Sequence, residues 1–136
     1  TLVTADRPVV AERAMYGGNR TWAHDSIGVT DAADSWYLAE GCTAGGMETW
    51  VLVQNPNDEP ATVSLSLMTN AGAQAASQLQ SVTIPAHSRT SFNLGLYVSS
   101  YDVSTLVTAD RPVVAERAMY GGNRTWAHDS VGYSPE

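Results

Sequence analysis

The sequence predicts an all-β fold, an antiparallel β-sandwich of about seven or eight short strands. Three observations carry the prediction. Apolar and polar residues alternate over short runs, most cleanly Val63, Leu65 and Leu67 against Thr62, Ser64 and Ser66, the period of a strand with one buried face. Clusters of Gly, Pro, Asn and Asp punctuate these runs at roughly ten-residue intervals. Finally, Thr1–Ser26 returns letter for letter as Thr105–Ser130. An exact repeat at domain-sized spacing reads as one complete unit of a tandem array preceded by the end of another.

In chain order, Thr30–Ser35 is polar and small, an expected linker between units, and Trp36–Ala39 is a short aromatic strand. After the Gly-rich loop Gly41–Gly46, Glu48–Gln54 places Trp50 and Leu52 on one face and Val51 and Val53 on the other. Asn55–Pro60 is dense turn chemistry. Ala61–Thr69 and Leu79–Ile84 alternate as strands, and Arg89–Leu96 is expected to turn Phe92, Leu94 and Leu96 inward. Two further strands are expected on either side of Asp110-Arg111-Pro112: Val103–Val107 and Pro112–Tyr120. The second is rich in helix-favouring Ala, Glu, Arg and Met, but its all-β surroundings outweigh local propensity. Its alternation is expected to bury Val114, Ala118 and Tyr120. Gly121-Gly122-Asn123 is hairpin-grade turn sequence, with Arg124–His128 returning as the last strand. Thr1–Ser26 must read the same way.

Composition bounds the function. In 136 residues there is room for one core. All 7 basic residues are Arg, against 14 acids, for a net charge of −7. That balance disfavours nucleic acid and anionic lipid as partners, and the absence of Lys removes Schiff-base, P-loop and isopeptide chemistry. No apolar run approaches the ~20 residues of a membrane-spanning helix. Cys42 is the single cysteine, so no intrachain disulfide forms.

The ordered motifs WYLAEG, ETWVLVQNPN, PAHSRTSFNL, TADRPVVAERAMY and WAHDSIG resemble a tandem repeat of long secreted bacterial surface proteins of actinobacterial type. The resemblance covers Thr1 to Gly132. It implies an immunoglobulin-like sandwich, an extracellular cell-surface setting and no enzymatic activity. Cys42 departs from it, since such repeats are expected to carry Ser there.

No catalytic constellation stands out, and neither a catalytic residue, a metal site nor a cofactor is expected. His24-Asp25-Ser26 and His128-Asp129-Ser130 hold the letters of a triad, but a triad converges from separate elements, whereas these are neighbours; a turn with a capping Asp is the simpler reading. Glu116 and Arg117 face opposite sides of a strand, so each is expected to form a salt bridge elsewhere. The acids Asp31, Asp34, Glu40, Asp58 and Glu59 lack calcium-loop spacing. Cys42 is the one candidate reactive thiol, for example in a thioester with Gln54, although an unreactive loop thiol is the default. Asn19 and Asn123 begin N-x-T sequons in turns. Trp22, Trp36, Trp50 and Trp126 suit core or inter-unit packing better than sugar stacking.

One sandwich body needs one copy of the repeated hairpin, and this chain has two. The expected division is residues 1–30 as the closing strands of a preceding repeat and residues 31–136 as one complete repeat. The extra copy presents unpaired backbone groups and an apolar face, a template for pairing. The expected interface residues are Val9, Val10, Ala14, Tyr16 and Trp22 in one copy and Val113, Val114, Tyr120 and Trp126 in the other. The function this implies is a structural module of an extracellular stalk or filament, a head-to-tail homopolymer joined by strand complementation or chain continuity. The alternative is an adhesin repeat binding a glycan or a host or cell-surface protein through its loops.

Overall fold

Alternating apolar side chains can be buried only if strands pair edge to edge, and one long strand organises that pairing here. The computed structural model describes residues 1–135. The strands are β1 (Glu12–Gly17), β2 (Trp22–Ile27), β3 (Ala33–Leu38), β4 (Glu48–Asn55), β5 (Ala61–Thr69), β6 (Gly72–Gln74), β7 (Val82–Ile84), β8 (Ser88–Asn93), β9 (Ser104–Gly121) and β10 (Trp126–Val131). Every pairing is antiparallel. The described residues contain no α-helix, only three single 3₁₀ turns, and no helix long and apolar enough to cross a membrane.

The larger sheet runs β6-β5-β9-β4-β8, with β3 and β10 also on β9 and β7 on β5. The 18-residue β9 lies at its centre. Its first half, through Ala109, pairs with β5 and with most of β3; its second half, from Val114, pairs with β4 and β10. The sequence expectation of two strands broken at Asp110-Arg111-Pro112 is therefore corrected: one strand passes through these residues. They sit at an exposed corner between the two paired halves, where proline's missing N–H costs no ladder bond. The corner is fastened by Asp110, whose Oδ1 accepts from the Thr62 N–H at 2.7 Å.

The core lies between the sheet's two halves. Val63, Leu65 and Leu67 of β5 point inward, at 0%, 0% and 1% exposure, as their alternation requires. They meet Val51 and Val53 of β4, Phe92 of β8, and Val107, Val113 and Ala115 of β9. Trp36 closes the cluster, its indole N–H donating to the Val113 carbonyl at 2.8 Å. Three expectations shift. In β9, Val113, Ala115, Arg117 and Met119 lie on one side, while Val114 and Tyr120, which were expected inside, lie on the other with Ala118. Leu96 is 76% exposed, because Leu94–Leu96 forms a 3₁₀ turn rather than continuing β8. The expected linker ends early, since β3 already begins at Ala33.

β1 and β2 form a separate two-stranded sheet. Glu12↔Ile27 through Gly17↔Trp22 have the same register as Glu116↔Val131 through Gly121↔Trp126. The hairpin is thus dictated locally. Its turn holds Gly122, Asn123 and Arg124 at φ 58°, 54° and 61°, and Gly121 leaves room for the Trp126 ring, which a Cβ there would strike. Upstream the two copies differ. Ser104–Gly121 is one strand, whereas 1–11 has no regular structure; Val107 and Val113 are 0% exposed, Val3 and Val9 55% and 62%.

Candidate functional site

The two identical hairpins touch each other, and that contact holds the buried His24 together with the buried Asp129 carboxylate. Strand alternation gives each hairpin two faces. In the first copy, Arg13, Met15, Trp22 and His24 share one face, and Glu12, Ala14, Tyr16, Asp25 and Ile27 the other. The first set packs on the C-terminal hairpin's opposite type of face, formed by Glu116, Ala118, Tyr120 and Asp129. Identical sequences thus meet through unlike faces, a heterologous contact.

Its centre is aromatic. Trp22 and His24 stack at 5.9 Å between ring centroids, and each meets Tyr120 edge-on, at 5.7 and 6.2 Å. Trp126 and His128 repeat the stack at 6.3 Å, so the arrangement belongs to the hairpin itself, and edge-to-face pairs add about 1 kcal/mol beyond burial. Around it lies a charged cluster. Arg13 pairs with Asp129 and, at 3.1 Å, with Glu116. His24 Nδ1 is 2.9 Å from Asp129 Oδ1, but the approach is misaligned for a hydrogen bond, and Nε2 is buried with no partner. Burial pushes the Glu116 carboxyl above the usual carboxylate range, and Arg13 pulls it back. Burial likewise raises the Tyr120 phenol.

Glu116 and Arg117 do face opposite sides. Arg117 reaches the exposed Glu40 at 2.8 Å, and that hydrogen bond holds the Glu40 carboxyl below its ordinary value. His24-Asp25-Ser26 and His128-Asp129-Ser130 lie within β2 and β10, not in turns. The pairing that forms is between His24 of one copy and Asp129 of the other.

Of the expected interface residues, Trp22 and Tyr120 meet. Val9, Val10, Ala14 and Tyr16 are exposed, Val113 is in the core, Val114 is half-buried, and Trp126 is 41% exposed. The cluster of Arg13, His24, Glu116 and Asp129 was not singled out. Its only sequence signal was charge within an apolar strand. Cys42 is half-buried, its thiol directed to the Ala44 carbonyl at 3.6 Å. Its backbone bonds Thr49 near the start of β4, five residues and therefore roughly 16 Å from Gln54, too far for a thioester. Asn19 and Asn123 sit at the hairpin turns with positive φ. Among the described residues, no three His, Cys, Asp or Glu side chains converge as metal ligands.

A shallow cleft opens beside the docked hairpin. Its floor is the outer face of β4 and β8, with Trp50, Leu52 and Ser91, and its walls include Arg13, Arg89 and Arg124. Arg124 is engaged by Glu48 at 2.7 Å.

Comparison with known proteins agrees on the fold. The model of a family of unknown function, DUF5719, matches residues 29–115, more than half of the chain. The crystal structure of Thermotoga maritima 1070 superposes with a TM-score of 0.64 at 18% identity, covering 77% of this chain and 97% of that one. Anabaena sensory rhodopsin transducer superposes at 0.55 with 16% identity, covering 66% and 99%. At these identities the likeness concerns fold alone. No curated protein matches the sequence.

Proposed function

We propose that this chain, which belongs to the DUF5719 family, is a structural repeat module of an extracellular surface stalk or filament. Its units follow one another head to tail, by chain continuity or by strand complementation. One observation carries the reading. The residues that form the central strand of the sheet as Thr105–Val114 occur again as Thr1–Val10, exposed and without a sheet to enter. In an array, that first copy is the central strand of the preceding body, and residues 1–30 and 31–136 belong to successive units. A strand of this kind gains its stability from pairing on both edges and burial of alternate side chains.

The immunoglobulin-like character of the sandwich is part of the same proposal. It is supported by the way β9 serves two halves of the sheet around one core, as strands at the corners of packed sheets do. The surface location rests on the motif resemblance.

The test is a longer chain in which residues 29–104 are placed ahead of Thr1, giving two bodies in series. The amides of Val9 to Met15 should then become as slow to exchange as those of Val113 to Met119, and Val3→Ala should become as costly as Val107→Ala. If the middle copy stays unprotected beside a folded second body, the tandem reading is wrong.

A further inference from the structure

The cleft beside the docked hairpin has features that a structural module does not require. The protein carries net charge −7 with only 7 arginines, yet Arg13, Arg89 and Arg124 all line this one opening. Among the described residues, Glu116 is the only acid on its wall. Arg13 is shared with Glu116 and Asp129, and Arg124 is held by Glu48. Arg89, by contrast, has no ion-pair partner among the described residues. A guanidinium presents a planar fork of donors suited to a carboxylate. His24 supplies an independent sign of a missing partner. It too lines the cleft, its side chain is 2% exposed, and its Nε2 has no hydrogen-bond partner. A buried polar nitrogen left in that state costs free energy unless a further group meets it.

The floor and size narrow the ligand. Trp50 and Leu52, on the outer face of β4, are half-buried beneath the opening. The Trp50 indole N–H is committed to Glu48 at 2.9 Å. A ring lying on an indole face is the familiar way an aromatic side chain receives a sugar or other flat ring. Ser91 adds a hydroxyl to the floor. The volume is about 260 Å³, below the ~300–1,000 Å³ of drug-sized sites, so the occupant is small.

We propose that this cleft binds a small carboxylate carried on a single polar ring, of the sugar-acid class, with the carboxylate on Arg89 and the ring over Trp50 and Leu52. The same ligand could arrive free or as the acidic residue of a glycan. Because Arg13, Met15 and His24 form one wall, the docked first hairpin completes the site, and binding holds the hairpin in place.

The experiment uses the full 136-residue chain and sodium glucuronate, followed by the NMR signals of the Trp50 indole and the Arg89 side chain. A saturable shift is expected, with slower amide exchange in β1 and β2. Arg89→Gln should weaken binding at least tenfold, while Arg7→Gln, in the exposed N-terminal segment, should leave it unchanged. Glucose, the neutral ring, and acetate, the anion without a ring, should each bind at least tenfold more weakly. An acidic oligosaccharide competing at the same site identifies a glycan as a source; failure to compete identifies the free acid. The proposal is overturned if glucuronate gives no saturable response, if Arg89→Gln binds as the parent does, or if glucose or acetate matches glucuronate. None of these outcomes bears on the tandem arrangement, which the two-body chain tests separately.

Discussion

Asn55 shows how much one buried polar side chain contributes to this fold. It is 0% exposed at the end of β4, and its amide nitrogen donates to the carbonyls of Glu59, Ile84 and Pro85 at 2.8, 3.0 and 3.1 Å. Its Oδ1 accepts from the Asn57 backbone and side chain at 3.0 and 2.7 Å. One residue thereby fastens the β4–β5 turn to the end of β7. Asn55→Ala strands several of these groups without water, so a loss of about 3 kcal/mol is expected in urea unfolding. A loss below 1 kcal/mol would mean that solvent replaces the bonds. Glu116 gives a second prediction at this scale. Burial raises its carboxyl above the unfolded-state value, and Arg13 opposes that rise. A raised folded pKa means that the native state holds the proton longer. The stability linked to this proton is complete below the unfolded value and is lost as pH rises through the folded one. Arg13→Gln should raise the Glu116 midpoint further, read by carbon-detected NMR titration; an unmoved midpoint would place Arg13 away from Glu116. Glu48 has the opposite sign. Its hydrogen bond from Arg124 lowers the folded value, so its contribution is lost as pH falls through that lowered value.

At the scale of elements, the repeat provides a control that few proteins contain. Val3 and Val107 have the same neighbours in sequence, yet they are 55% and 0% exposed. Val107→Ala should cost about 2 kcal/mol in urea unfolding, and Val3→Ala should stay within about 0.5 kcal/mol. Equal costs would show the first copy to be packed. The same pair explains what sequence could reveal. β5 was legible because its alternation is unbroken from Thr62 to Leu67 and its pattern fixes which face is buried. The hairpins were legible because Gly121-Gly122-Asn123 specifies the turn locally. β9 was not, since Asp110-Arg111-Pro112 has turn composition, and only its partners β5 and β4 make it continuous. Its phase was missed for a related reason. Val113 and Val114 are adjacent and equally apolar, so nothing local decides which one faces the core. The Arg13–His24–Glu116–Asp129 cluster joins residues from opposite ends of the chain, and it depends on how one hairpin docks on the other.

For the whole molecule, β9 makes stability collective. Four strands, β3, β4, β5 and β10, pair directly with it, and three of these partners lie far away in sequence. Forming the sheet therefore waits on non-local pairing. The N-terminal hairpin stands outside this dependence: the buried cluster contains no residue before Trp36. A proline in the same sequence context should then have two different consequences. Ala115 is 0% exposed in the middle of β9, paired with Val53, and its carbonyl accepts from the Gly132 N–H at 3.0 Å. Ala115→Pro forces a ring into the closed centre of the sheet, a cost of about 3 kcal/mol or more. Ala11 occupies the identical position in the first copy, just ahead of β1, where its carbonyl accepts from the Gly28 N–H at 2.9 Å. Ala11→Pro leaves that acceptor in place and should lower stability by under 1 kcal/mol. Circular dichroism melts of the two variants decide the matter. A collapse of the melting transition in Ala115→Pro alone would assign the cooperative unit to the C-terminal copy, whereas equal damage from both would mean that the first hairpin is integral to the fold.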